Sequence, residues 1–189
     1  MTKDQLRILY KQKRSDLSVE KQTLLNNQIF EKLKHMDWHR YNYVHVFLGI
    51  ERFNEPNTAQ FITWISEFFP HIHLIVSKSD FASGEMLNFV LDDQTILVEN
   101  KWGILEPLDG DIVDEELIDL VLVPLLVADS FGHRVGYGKG FYDRFLSRCR
   151  KDVDLVGISF FEPIHQITDV GEWDVRLQSC ITPSGHIYF

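Results

Sequence analysis

"LIDLVLVPLLVADSFGHRVGYGKGFYDRFL", residues 117–146, runs through three kinds of sequence in succession. Residues 117–127 are almost continuously apolar, as expected of a strand covered on both faces of a parallel sheet; a half-exposed strand would alternate. Gly132, Gly136, Gly138 and Gly140 then fall within nine residues. Residues 139–150 return to helical period. Open α/β sheets bind ligands beyond the carboxyl ends of their strands, where a loop meets a helix start. Unpaired amides in such a turn and in the first helical turn favour anions. Glycine admits the left-handed backbone required and lets an oxygen approach closely. Arg134 and Lys139 add positive charge on either side. The stretch predicts a phosphate cradle, although it has neither the G-x-x-x-x-G-K-[ST] spacing nor a G-x-G-x-x-G after a first strand.

Outward from this unit, strands and helices alternate. Residues 2–14 carry Leu6, Leu9 and Tyr10 at helical spacing. A second helix spans 16–36, with Ser18 as its N-cap. Strands are expected at 43–50, 71–78, 86–91, 117–127 and 153–161, and a helix at 58–69 capped by Thr58 or Asn57. This order predicts a three-layer α/β/α domain with a mostly parallel sheet. With 189 residues, 44% of them hydrophobic, and no repeats or linkers, residues 1–189 read as one domain.

A net charge of −9 argues against a general nucleic-acid binder, which needs a basic face, but leaves room for a local phosphate site. Cys149 and Cys180 are the only cysteines and have no zinc spacing. No apolar run approaches the ~18–20 residues that span a bilayer, and the N-terminus lacks a signal-type core. A cytoplasmic protein without membrane or nucleic-acid partners is expected, working as a monomer or weak dimer. Eight histidines raise a metal site, yet none has a third ligand at a telling spacing, so surface or satisfied histidines are the better reading. Asp143, in a first helical turn, suits either the helix dipole or a Mg2+ ligand beside phosphates. Asp174, taken alone, is a turn or capping residue. By spacing alone Lys3 and Arg7 form a solvated helix face, Leu48 is core and Glu55 is an exposed loop acid.

Five segments resemble the 5-formyltetrahydrofolate cyclo-ligase family: "KDQLR" (3–7), "FLGIERFNEPNT" (47–58), "WGILEP" (102–107), "VPLLVADSFGHRVGYGKGFYDRFL" (123–146) and "WDV" (173–175). The resemblance implies a three-layer α/β fold related to sugar-phosphate isomerases and CoA transferases. It implies conversion of 5-formyltetrahydrofolate to 5,10-methenyltetrahydrofolate with ATP and Mg2+. By the same resemblance Arg134 and Lys139 are catalytic. Lys3, Arg7, Gly136, Tyr137, Gly138, Gly140, Phe141 and Tyr142 join them in binding ATP. The folate is held by Leu48 and Glu55, with Tyr137 to Phe141 bordering it. Asp143 and Asp174 hold the metal. The chain departs from the family pattern at Phe141, where tyrosine is common, at Pro56, where an aliphatic residue is usual, and in a longer span from Leu48 to Glu55. Two rivals differ in class: a non-catalytic folate or nucleotide binder, and an isomerase or transferase on the related fold. The first would be expected to lack Arg134 or Lys139, and the second would need neither the Lys3/Arg7 helix nor a metal pair.

Overall fold

The computed structural model describes residues 1–189. In chain order the strands are β1 (Tyr43–His45), β2 (His73–Asp80), β3 (Glu85–Leu91), β4 (Leu97–Glu99), β5 (Leu105–Pro107), β6 (Leu120–Pro124), β7 (Val127–Ala128), β8 (Arg134–Val135), β9 (Asp154–Ile158), β10 (Ser179–Ile181) and β11 (His186–Tyr188). Seven of them make the main sheet, ordered β11-β10-β9-β6-β1-β2-β3. The five inner strands are parallel, and β3 and β11 run antiparallel at the edges. β4–β5 and β7–β8 are separate hairpins.

The chain leaves β1 for β2 on one side and later returns as β6 on the other. Growth of the sheet reverses there, so the loops after β1 and β6 part and leave a crevice above their carboxyl ends. The segments forming it are 46–57 and 125–140.

The α-helices are α1 (Lys3–Ser15), α2 (Val19–Lys34), α3 (Ala59–Phe68) and α4 (Phe141–Arg148), and the last three flank the sheet. Leu25, Ile29 and Leu33 of α2 and Phe61 and Ile65 of α3 cover one face, meeting Leu120 and Leu122 of β6. Phe145 and Leu146 of α4 cover the other, meeting Val121 and Val123. Successive residues of β6 enter opposite layers, which is why its sequence has no polar alternation. The three-layer expectation holds. Helix α1 joins neither layer: its Leu6 and Tyr10 pack on Leu126, Val127, Val135 and Ile167, across the carboxyl end of the sheet.

Element ends differ from the sequence reading in instructive ways. The strand expected at 43–50 leaves the ladder after His45. Val46 still donates to the Ile75 carbonyl at 2.8 Å, but the Phe47 carbonyl is taken by the Thr58 hydroxyl and the chain turns into the crevice. Thr58 is thereby diverted from capping α3, and Asn57 Oδ1 accepts the Ala59 amide at 2.8 Å instead. Ser18 caps α2 as expected, accepting from the Lys21 amide. The strand expected at 117–127 is regular only over Leu120–Pro124, and that at 153–161 over Asp154–Ile158. Strands β4, β5, β8, β10 and β11 have no counterpart in the sequence reading, since two or three residues are too few to show alternation.

Asp129 ties down the turn that leads to the glycine loop. It is fully buried; Oδ1 accepts the amides of Phe131 and His133, both at 3.0 Å, and Oδ2 accepts the Ile167 amide at 3.0 Å. Replacing it by alanine strands three donors, each costing ~1–3 kcal/mol when left unpaired. Asp129→Ala is expected to lose at least about 2 kcal/mol of stability in urea unfolding; a loss under 0.5 kcal/mol, the range of ordinary surface changes, would contradict this account.

Candidate functional site

The glycine loop lies in the crevice, entered from β8 and leaving into α4. Gly138 (φ +87°) and Gly140 (φ +70°) are both left-handed, and Gly140 is the N-cap of α4. A Cβ on Gly138 would lie 3.0 Å from the Arg7 guanidinium carbon. Gly136 differs from the expectation: it has ordinary backbone and open space around it, and contributes its carbonyl, which accepts from Arg7 Nε at 3.0 Å.

Cations from distant parts of the chain meet here. Lys3 pairs with Asp174, 171 residues away, and Arg7 reaches a carbonyl 129 residues away. Neither is the solvated face that spacing alone implied, because α1 lies across the loop. Arg134, buried on β8, donates through Nη2 to Asp143 Oδ1 at 2.7 Å and through Nη1 to the Val175 carbonyl. Burial pulls the Arg134 guanidinium below its usual value, opposed by Asp143 and Asp174. Burial also works against ionisation of Asp174, but Lys3, the Gly171 amide and Arg134 hold its carboxyl below the usual range. Lys139 is exposed at the loop's tip, with no carboxylate in ion-pair reach. Six charged side chains, four cations and two carboxylates, thus surround a turn of left-handed glycines at a helix start.

The other side of the crevice is the segment after β1. Leu48 is half-buried and packs on the core. Glu55 is 8% exposed, so the reading of it as an open loop acid is wrong. Its Oε2 accepts the Ile50 amide at 2.9 Å. Burial pushes its carboxyl up, countered by that amide, the Tyr137 hydroxyl and Arg14. Arg14, which sequence reasoning missed, is 1% exposed and donates from Nη1 to Tyr137 Oη at 2.8 Å and from Nη2 to the Leu125 carbonyl at 2.6 Å. Its one visible signal, a place beside Lys13 in "YKQKRSDL", reads as solvent-facing. Tyr142 stands edge-on to His45 and Phe145 and feels both Glu55 and Arg134, so it sits between the two halves of the site.

Phe141 opens one wall. Its ring meets Phe81 at 5.2 Å, and Phe81 meets Trp102 at 5.7 Å. Trp102 is 43% exposed and belongs to a rim, not to the core. No group of three or more His, Cys, Asp or Glu side chains is placed to hold a metal; Asp143 and Asp174 flank Arg134 as a pair. No helix is long and apolar enough to cross a membrane.

The model of the 5-formyltetrahydrofolate cyclo-ligase family matches residues 1–183. The 5-formyltetrahydrofolate cyclo-ligase of Escherichia coli (strain K12) is 35% identical over 107 residues, covering 55% of this chain and 59% of that protein. The chain therefore spans about three fifths of that curated relative's length. The solved structure of Aquifex aeolicus 5,10-methenyltetrahydrofolate synthetase superposes with a TM-score of 0.84 at 25% identity, over 100% of this chain and 93% of that one. The Mycoplasma pneumoniae 5,10-methenyltetrahydrofolate synthetase shares the fold, with a TM-score of 0.76 at 23% identity over 96% and 98% of the two chains.

The loop's geometry is itself testable. Gly138→Ala forces a side chain into the left-handed region, at about 1–2 kcal/mol, and against Arg7. Thermal unfolding is expected to show a loss of that size, and an unchanged melting temperature would count against the backbone described.

Proposed function

The chain belongs to the 5-formyltetrahydrofolate cyclo-ligase family, and on that premise we propose that it converts 5-formyltetrahydrofolate to 5,10-methenyltetrahydrofolate, consuming ATP with Mg2+ and releasing ADP and phosphate. One observation carries the reading. In a protein of net charge −9, Lys3, Arg7, Arg134 and Lys139 converge on left-handed glycines at a helix start, above the point where the sheet reverses. Concentrating cations there serves a polyphosphate.

The chemistry asks for this arrangement. A formamide oxygen is a poor nucleophile and an oxygen leaving as hydroxide is a poor leaving group, so ring closure by N10 stalls unaided. The formyl oxygen attacks the γ-phosphorus; the new O–P bond forms as the bond to ADP breaks. N10 then attacks the iminium carbon and loses its proton, and the C–O bond breaks to release phosphate. Phosphoryl transfer draws mainly on alignment and charge stabilisation. Arg134 is oriented by Asp143 and the Val175 carbonyl until an anion competes for it, while Lys139, exposed and without an ion-pair partner, is able to follow the transferring group. The amides from Gly136 to Phe141 would hold phosphate oxygens, with Lys3 and Arg7 reaching them from α1. Leu48 and Glu55 would meet the pterin across the crevice, and Tyr142 would stand between nucleotide and folate.

Asp143 and Asp174 fit a magnesium ion. They are a partly exposed pair beside the loop, and Mg2+ is typically held by one or two carboxylates together with substrate phosphates. When bound, the ion would supply positive charge to the phosphates; Arg134 and Lys3, the present partners of these carboxylates, would turn toward the nucleotide.

The test is absorbance at the methenyl-folate band with folinate, ATP and Mg2+, each omitted in turn; a rise that requires all three is expected. Lys139→Ala should lower kcat by about 10²–10³-fold with an unchanged melting temperature, the cost of removing one aligned donor. Asp143→Asn should raise the Mg2+ concentration needed for half-maximal rate. Wild-type turnover in Lys139→Ala would remove that lysine from the mechanism.

A further inference from the structure

Arg14 is the most deeply buried arginine or lysine of the molecule and has no part in the scheme above. We propose that Arg14 is a positioning residue for the folate half of the site: it fixes the Tyr137 hydroxyl and holds the Glu55 carboxylate in place beside it. This rests on the reading that the crevice binds the folate.

The geometry is that of an anchored fork. Nη2 is fixed to the Leu125 carbonyl at 2.6 Å, directly after β6. Because a guanidinium is planar, one anchored nitrogen sets the direction of the other. Nη1 donates to Tyr137 Oη at 2.8 Å and lies 3.9 Å from Glu55 Oε1. The Tyr137 hydroxyl accepts this bond and keeps its own proton, which acts together with Arg14 in lowering the Glu55 carboxyl against its burial. The backbone joins in: Asn54, next to Glu55, donates its side-chain amide to the Arg14 carbonyl at 3.1 Å. The end of α1 therefore fixes both the acid and the tyrosine, one from each wall of the crevice. A purely structural arginine would have no reason to contact two pocket groups from opposite walls.

The charge matters as well as the shape. Four groups face Glu55: Arg14 from α1, Tyr137 from the glycine loop, Tyr142 from α4 and the Ile50 amide from its own turn. Arg14 is the one cation among them. Burial raises the Glu55 carboxyl, and Arg14 opposes that rise. Removing the positive charge raises it further, so Glu55 takes up a proton at a higher pH and the acid limb of folate binding moves upward.

The experiment compares the wild-type chain with Arg14→Gln, Arg14→Lys and Tyr137→Phe. Folinate and ATP dissociation constants are read by calorimetry across pH, with each variant's fold checked by thermal unfolding. Arg14→Gln is expected to weaken folinate on the order of tenfold, as loss of a hydrogen bond to a charged group does, to leave ATP within about twofold on the same scale, and to shift the acid limb upward. Arg14→Lys restores the limb, because the charge returns, but not the affinity, because the fork does not. Unchanged folinate binding and limb in Arg14→Gln would overturn the proposal. So would equal weakening of both ligands with an unmoved limb, the mark of a general packing defect. If Arg14→Gln does not fold, Arg14→Lys combined with Tyr137→Phe decides: losses that do not add support the shared contact, and additive losses refute it. Absence of methenyl product from the wild type would sink the reaction scheme alone, since the calorimetric comparison needs no turnover.

Discussion

A guanidinium is costly to take out of water without partners on its polar edges, and where the sheet ends the fold gives them to both terminal nitrogens of Arg14, leaving its Nε unpartnered. One bond goes to the Leu125 carbonyl, directly beyond β6; the other goes to the glycine loop through Tyr137. Those two attachments pin the far end of α1 over the crevice. The near end is pinned by Lys3 on Asp174 and by the Lys3 amide on Asp169, 2.7 Å away. Between them Leu6 and Tyr10 are buried on the β7–β8 hairpin. Both sides of the site therefore depend on one helix that belongs to neither layer of the sandwich.

This dependence explains what could be read in the sequence and what could not. The apolar run expected at 117–127, the left-handed glycines at 138 and 140 and Ser18 before α2 are local signals, each set by backbone chemistry within a few residues; the run is a regular strand over its middle, Leu120–Pro124, and the other two stand where expected. Lys3, Arg7, Arg14 and Glu55 are the opposite case. On a bare helical wheel the three cations face water, because nothing local announces that a hairpin 120 residues later will cover them. Family resemblance supplied Lys3, Arg7 and Glu55 but not Arg14, whose role is set by contacts 111 and 123 residues away. The burial of Glu55 was illegible for the same reason: a loop acid looks exposed until the cation that accompanies it is known.

The short strand β1 makes the same point for the backbone. Residues 43–50 have strand composition, and Val46 still bonds to β2. What ends the strand is Thr58, whose hydroxyl takes the Phe47 carbonyl that a longer ladder would have used. A side chain eleven residues on decides where the sheet stops. By ending it early the chain gains the loop that carries Leu48 and Glu55 into the crevice.

The charges around the loop are arranged so that no partner is wasted. Arg134 and Lys3 already hold carboxylates, so their charge is not exposed as an unshielded patch in a protein of net charge −9. A polyanion entering the crevice would compete for these cations and free Asp143 and Asp174 in the same movement. Two carboxylates released beside incoming phosphates form the kind of site a hard divalent cation takes, with oxygens from protein and ligand together. The same exchange cannot occur on the other wall, where Arg14 and Glu55 are buried and the Leu125 carbonyl holds the guanidinium in place. One half of the crevice is built of ion pairs able to change partners, and the other of a cluster that is fixed. Under the proposed reaction, the first would suit a polyphosphate consumed and released at every turnover, and the second a ring system held in one orientation while its formyl oxygen reacts.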